Sequence, residues 1–128
     1  MTFCQEMTEA QTYAWIFYAA SAVASKQAAK HREIEAVADG INHAVPTQKE
    51  MATSFKWAES KGLLQRVGKM TQLTGEGRTF AAQFTEKPGS TMKTWDRITA
   101  AFEGMGADNA TSLNCRTMKA EQDVDPNA

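Results

Sequence analysis

The order of apolar and polar residues predicts a chain that is mostly helical. Thr8, followed three residues later by Gln11, forms a capping box, and the alanine-rich run behind it predicts a first helix over about residues 8–29. Its apolar residues fall on two faces at 100° per residue: Tyr13, Ile16, Phe17, Ala20, Val23 and Ala24 on one, and Trp15, Tyr18, Ala19 and Ala22 on the other. We therefore expect this helix to pack against two partners.

Shorter segments with helical spacing follow, at about residues 31–41, 47–61, 75–84 and 91–105. The third helix is entered through a second capping box, Thr47 and Glu50, which comes directly after a proline, and Gly62 ends it. Two short apolar segments on either side of Gly68 and Lys69 predict a hairpin over about residues 63–73. The predicted class is mainly α with a small two-stranded β-hairpin.

The last helix and the segment after it set the predicted end of the domain. One apolar stripe runs along that helix: Met92, Trp95, Ile98, Phe102 and Met105. After Gly106 the chain turns polar and ends in acidic residues. We predict one domain over residues 1–106 and a flexible polar tail over residues 107–128.

The run PTQKEMATSFKWAESKGLLQRVGKMTQLTGEG resembles the third helix and wing of small bacterial winged helix-turn-helix domains, with a wing signature similar to that of the MarR and PadR families. The matching pieces are Gly-Leu-Leu at residues 62–64 and Leu-Thr-x-x-Gly at residues 73–77. The resemblance covers about a third of the chain closely. It implies a winged helix with a long N-terminal helix and an added C-terminal helix. The sequence departs from the pattern at Ala58, where a larger aliphatic residue is common, and in its long aromatic first helix.

In such domains the outer face of the third helix enters the major groove. The resemblance then implies that Gln48, Lys49 and Thr53 reach base edges and that Lys56, Arg66 and Lys69 contact phosphates. Trp57, at the edge of this face, is a candidate anchor for a partner or a base-stacking platform, or else packs in the core against the wing. The alternative for the whole face is an ordinary solvated surface.

Charge is distributed unevenly along the chain although the total is −1. Residues 47–78 hold six basic residues against three acidic ones, a balance of +3, whereas the segments before and after are each at −2. A local positive excess favours a polyanionic partner.

Two functions remain open from the sequence. The first is a small, double-stranded-DNA-binding transcriptional regulator of bacterial type. The second is a protein-binding module, such as an immunity protein or antitoxin that neutralises a bacterial toxin without touching DNA, since fold does not dictate function. A homodimer through Trp15, Tyr18, Trp95 and Phe102 would cover the spare apolar faces, and packing of the first and fifth helices within one chain explains the same pattern.

Signs of catalysis are thin, so we expect no enzyme, cofactor or metal site. His31 and His43 are twelve residues apart, without a cysteine or carboxylate at ligand spacing. Cys4 and Cys115 show no paired spacing and are expected to be reduced thiols, with a disulfide between them as the alternative. The absence of an apolar stretch of spanning length, and of a basic leader, predicts a cytoplasmic protein without a membrane segment.

Overall fold

Five helices and one β-hairpin follow each other in the predicted order. The structure is a computed structural model, and it describes residues 7–107. The elements are α1 (Glu9–Val23), α2 (His31–Asn42), α3 (Gln48–Ser60), β1 (Leu64–Val67), β2 (Met70–Leu73), α4 (Gly75–Thr85) and α5 (Thr91–Gly104). The predicted class, mainly α with a two-stranded hairpin, is confirmed, and the arrangement is compatible with a winged helix that carries an extra C-terminal helix.

Both predicted capping boxes are formed. Thr8 Oγ1 accepts a hydrogen bond from the backbone N–H of Gln11 at 3.0 Å, and the Gln11 side chain accepts one from Thr8 N at 2.8 Å. Thr47 and Glu50 exchange the same pair of bonds at the start of α3. Each box satisfies backbone donors that the first turn of a helix leaves unpaired, so it fixes where the helix begins.

The first helix is shorter than predicted and ends at Val23 instead of about residue 29. The residues after it form backbone hydrogen bonds with β2 instead of continuing the helix. Leu73 N donates to Ala24 O at 2.9 Å, and Ala29 and Thr71 exchange two backbone hydrogen bonds at 2.9 and 3.0 Å. Pairing with the hairpin therefore overrides the helical propensity of this alanine-rich segment.

Helix α1 is the centre of the molecule and is buried on nearly all sides. It packs against α2, α3 and α5, so the expectation that it needs more than one partner is confirmed. Two indole groups join the layers: Trp15 Nε1 donates to Ala38 O of α2 at 2.8 Å, and Trp95 Nε1 of α5 donates to Gln11 O at 2.9 Å. Burying these rings together with their hydrogen bonds satisfies their polar groups inside the core.

The base of the hairpin is locked to α4. Gly62 has a positive φ of 78°, which ends α3, and Leu63 follows it into the core. Thr74 Oγ1 donates to Gly62 O at 2.6 Å and accepts from Gly77 N at 2.9 Å. A Cβ at Gly77 would overlap the carbonyl oxygen of Leu63, so only glycine fits at this approach.

The stripe predicted on the last helix is present with one exception. Trp95, Ile98 and Phe102 are buried and Met105 packs against the core, whereas Met92 is exposed in the first turn of α5. The predicted stripe is therefore one helical turn too long.

Three further sequence predictions concern a membrane segment, the C-terminal tail and the two cysteines. No helix within residues 7–107 has the length and apolar character required to cross a bilayer. The predicted tail lies, from residue 108 onward, outside the described residues, as do Cys4 and Cys115.

Candidate binding face of α3 and the wing

Helix α3 is held against α1 by one side of its surface. Met51, Phe55 and Ala58 are buried there, as their spacing predicts. Ser54 lies on the same side. Because these residues fix the rotation of the helix about its axis, they also decide which residues face solvent.

The outward residues of α3, which we call the α3 face, include most of the predicted contact residues. Gln48, Lys49, Ala52, Lys56 and Ser60 are exposed and Thr53 is partly exposed. The two lysines are seven residues apart, two turns of helix, so their ammonium groups follow one line along the surface. The sequence prediction omitted Ala52, although the helical spacing between Lys49 and Lys56 places it on this face.

The two strands of the hairpin, together with the Gly68–Lys69 turn that joins them, form the wing. Leu64 pairs with Leu73 and Val67 with Met70, and Gly68 supplies the positive φ of 64° that the turn needs. Lys69 is exposed at the tip. Its position beyond the end of both strands leaves its charge directed away from the core.

Arg66 differs from the other predicted phosphate contacts because an acidic residue of α3 engages it. Its Nε donates to Glu59 Oε2 at 2.8 Å, and its guanidinium lies 6.0 Å from the Phe55 ring centroid. This pair joins the wing to the last turn of α3, and it offsets the charge that Arg66 would present to an anion. The sequence prediction missed it because Glu59 and Arg66 are seven residues apart across a helix end.

Trp57 packs against the helical core. Its ring stacks on Tyr13 at a centroid distance of 5.1 Å and contacts Phe102 at 4.7 Å, and the Lys61 ammonium lies 5.6 Å from it. These partners belong to α1, α5 and the end of α3, so Trp57 does not rest on the wing as one interpretation expected. The anchor role is weakened because two neighbouring rings already cover much of the indole.

The candidate dimer residues are placed inside the chain. Trp15, Trp95 and Phe102 are 2, 6 and 0% exposed, and only Tyr18 of the four is partly exposed. Trp15 and Trp95 contact each other at a centroid distance of 6.2 Å. The structure therefore corrects the prediction for these three residues: α1 and α5 pack within one chain, and their aromatic groups offer no surface to a second copy.

His31 joins α2 to α3 and the wing. Its ring lies 4.8 Å from the Phe55 ring, and Nε2 is 3.4 Å from Thr71 Oγ1. Burial and the positive charge of Arg66 lower the pKa of His31 below its ordinary 6.5, while Glu35 opposes them. The histidine is therefore a structural contact, and its surroundings favour the neutral form over the charged one.

Within residues 7–107 no group of three His, Cys, Asp or Glu side chains is arranged to hold a metal ion. Comparison of the chain with protein-family models, with curated proteins and with solved structures found no match.

Proposed function

We propose that the protein is a small transcriptional regulator that binds double-stranded DNA with the α3 face in the major groove and the wing against the backbone. The observation that carries this proposal is the placement of three exposed lysines, Lys49, Lys56 and Lys69, on this face and the wing of a chain with net charge −1. Lysines in this arrangement suit a polyanion with a groove wide enough for a helix.

The acidic residues near these lysines support the proposal. The Glu50 carboxylate accepts a hydrogen bond from the Thr47 backbone N–H, and the Glu59 carboxylate forms a salt bridge with Arg66. Their negative charges are thereby partly offset by a helix N-terminus and a guanidinium. Such a protein would work in the cytoplasm, where its DNA is.

A second candidate function is docking to a protein such as a toxin, and two exposed apolar residues favour it. Val45, in the turn before α3, is 64% exposed, and Val67, at the end of β1, is 40% exposed. Isolated exposed valines are common on protein surfaces, however, and these two valines are separate residues, one in the turn before α3 and one at the end of β1. The lysine arrangement is therefore the stronger support, and we propose DNA as the partner.

The test is fluorescence anisotropy of a labelled mixed-sequence duplex at several salt concentrations. We expect a dissociation constant on the order of micromolar at low salt, weakening as salt rises by a slope of about −0.9 per phosphate contacted. The Lys49→Ala, Lys56→Ala double variant should bind at least about tenfold more weakly, with a shallower slope.

The matched control is Lys87→Ala, Lys93→Ala, which removes the same charge from exposed lysines on the α4–α5 turn and the start of α5. It should bind like the wild type. Equal losses in both double variants would show charge attraction without a defined face. An unbound duplex at low salt with tens of micromolar protein would end the DNA proposal and leave protein docking.

A further inference from the structure

The proposed DNA site has a chemistry that goes beyond charge. The first two turns of α3 present, toward solvent, the amide of Gln48, the methyl of Ala52 and, partly exposed, the methyl and hydroxyl of Thr53. In a helix-turn-helix the N-terminal residues of this helix are the ones that contact base edges. These three side chains, together with Lys49, are therefore the base-reading candidates of the α3 face.

The Gln48 amide and the methyls of Ala52 and Thr53 match an A·T pair, whereas the Thr53 hydroxyl suits either pair. A glutamine amide donates to adenine N7 and accepts from adenine N6, while alanine and threonine methyls contact the C5-methyl of thymine. Gln48 and Ala52 are four residues apart, one turn, so they lie side by side on one edge of the helix.

The two lysines of the face do not specify a base to the same degree. A lysine ammonium can donate to guanine O6 and N7, but it is a point donor on a flexible four-carbon stem and any phosphate oxygen satisfies it equally, and α3 contains no arginine to provide a rigid fork for guanine. Cytosine readout needs a carboxylate, and the carboxylates of Glu50 and Glu59 are both engaged in hydrogen bonds.

We infer that the α3 face reads A·T pairs in the major groove, with Gln48 on adenine and the methyls of Ala52 and Thr53 against thymine. This inference rests on the proposed function, because it names the class of DNA sequence that the same site prefers. The wing then adds affinity without adding to this preference.

The experiment compares four duplexes with identical flanks and different cores in the anisotropy assay. The cores are A·T, G·C, inosine·cytosine, which has the major groove of G·C but the minor groove of A·T, and A·U, which lacks the thymine methyl. We expect the A·T core to bind about tenfold more tightly than G·C or inosine·cytosine, with A·U in between.

Two variants assign the preference to its residue. Gln48→Ala should reduce the A·T preference and leave only the part that the thymine methyl supplies, and Gln48→Glu should shift the preference toward G·C, because a carboxylate accepts from cytosine N4. Gln83→Ala, on the exposed side of α4, is the control and should leave the preference unchanged.

The outcomes separate this inference from the function beneath it. Equal binding to all cores, or a G·C preference, would overturn A·T readout while the DNA-binding function stands. Equal binding to A·T and inosine·cytosine would overturn it too, because the discrimination would then come from the minor groove. Failure to bind any duplex would overturn both the A·T readout and the proposed DNA-binding function.

Discussion

At the scale of single residues, two positions form contacts that hold separate elements together. Gly77 allows α4 to approach the backbone of Leu63, and His31 fills the space between α2, Phe55 and Thr71. Neither role is visible in the sequence, because each depends on a partner more than ten residues away. The glycine that ends α3, in contrast, was predictable, since Gly62 follows a helix and precedes buried leucines.

Gly77→Ala should destabilise the protein by about 1–3 kcal/mol, because the added methyl group forces α4 away from the Leu63 carbonyl. Urea unfolding followed by circular dichroism measures this. Gly75→Ala is the matched control, since its Cβ would meet only the Arg78 side chain at 3.7 Å. It should be neutral or stabilising by up to about 1 kcal/mol. Similar losses in both variants would contradict the close approach.

Stability should fall with acid through His31. Its folded-state pKa lies below the unfolded value of 6.5, so below that pH the unfolded chain takes up a proton that the folded chain resists. The free energy of unfolding therefore decreases as pH falls from about 6.5 through the lower folded pKa, and then levels off.

The measurement is urea unfolding of wild type and His31→Gln at about pH 7.5 and about pH 5.5. The wild type should lose more stability between the two than the variant does. His43→Gln serves as control, because His43 is an exposed residue at the end of α2. A larger acid loss in His31→Gln than in wild type would contradict the sign.

At the scale of elements, the sequence predicted the ends of helices that local capping residues set. It missed the end of α1, which hydrogen bonds to a distant strand set. Capping boxes and Gly62 fixed the bounds of α3 to within a residue. Helix α1 ends early because Ala24 and Ala29 bond to β2, a choice that local propensity opposes. The lysines of the α3 face followed from helical spacing, whereas the Arg66–Glu59 pair required the position of the wing.

Glu59→Gln should strengthen DNA binding. The variant releases the Arg66 guanidinium for a phosphate, so the salt slope should steepen by about 0.9 while folding stability changes by no more than about 1 kcal/mol. Anisotropy at several salt concentrations measures it. Glu103→Gln, an exposed acid on α5, changes net charge equally and controls for general attraction. An unchanged slope in Glu59→Gln would show that Arg66 does not face the DNA.

Trp57→Ala should cost about 3–5 kcal/mol of stability, because it removes the ring that lies between Tyr13 and Phe102. Trp57→Phe keeps part of this contact and should cost less. Both are measured by urea unfolding. If Trp57→Ala left stability unchanged but abolished partner binding, the ring would be an anchor for a partner after all.

At the scale of the whole molecule, α2, α3 and α5 all pack on α1, so we expect the described residues to unfold as one cooperative unit. Far-ultraviolet circular dichroism and tryptophan fluorescence should therefore give coincident unfolding curves, with one tryptophan each on α1, α3 and α5 as reporters. Ile16→Ala, at a fully buried position of α1, should lower stability by about 2–5 kcal/mol and keep the two curves together.

The control for that prediction is Ala22→Ser, an exposed position of the same helix, which should change stability by about 0.5 kcal/mol or less. Separate transitions for the two signals would show that α1 does not couple the layers.

The pair of hydrogen bonds between Ala29 and Thr71 has a consequence for engineering. After α1 ends, the chain meets β2 at Ala29 and comes back to the same point at Thr71, so residues 30–70 form a segment whose two ends already meet. A replacement segment could be grafted between these two residues without rerouting the chain if it kept the side chains that this segment contributes to the core: Ile34, Ala38, Met51, Phe55, Ala58, Leu63 and Leu64. The proposed DNA-binding surface lies wholly within residues 30–70, so it could be exchanged as one segment while the rest of the chain is kept.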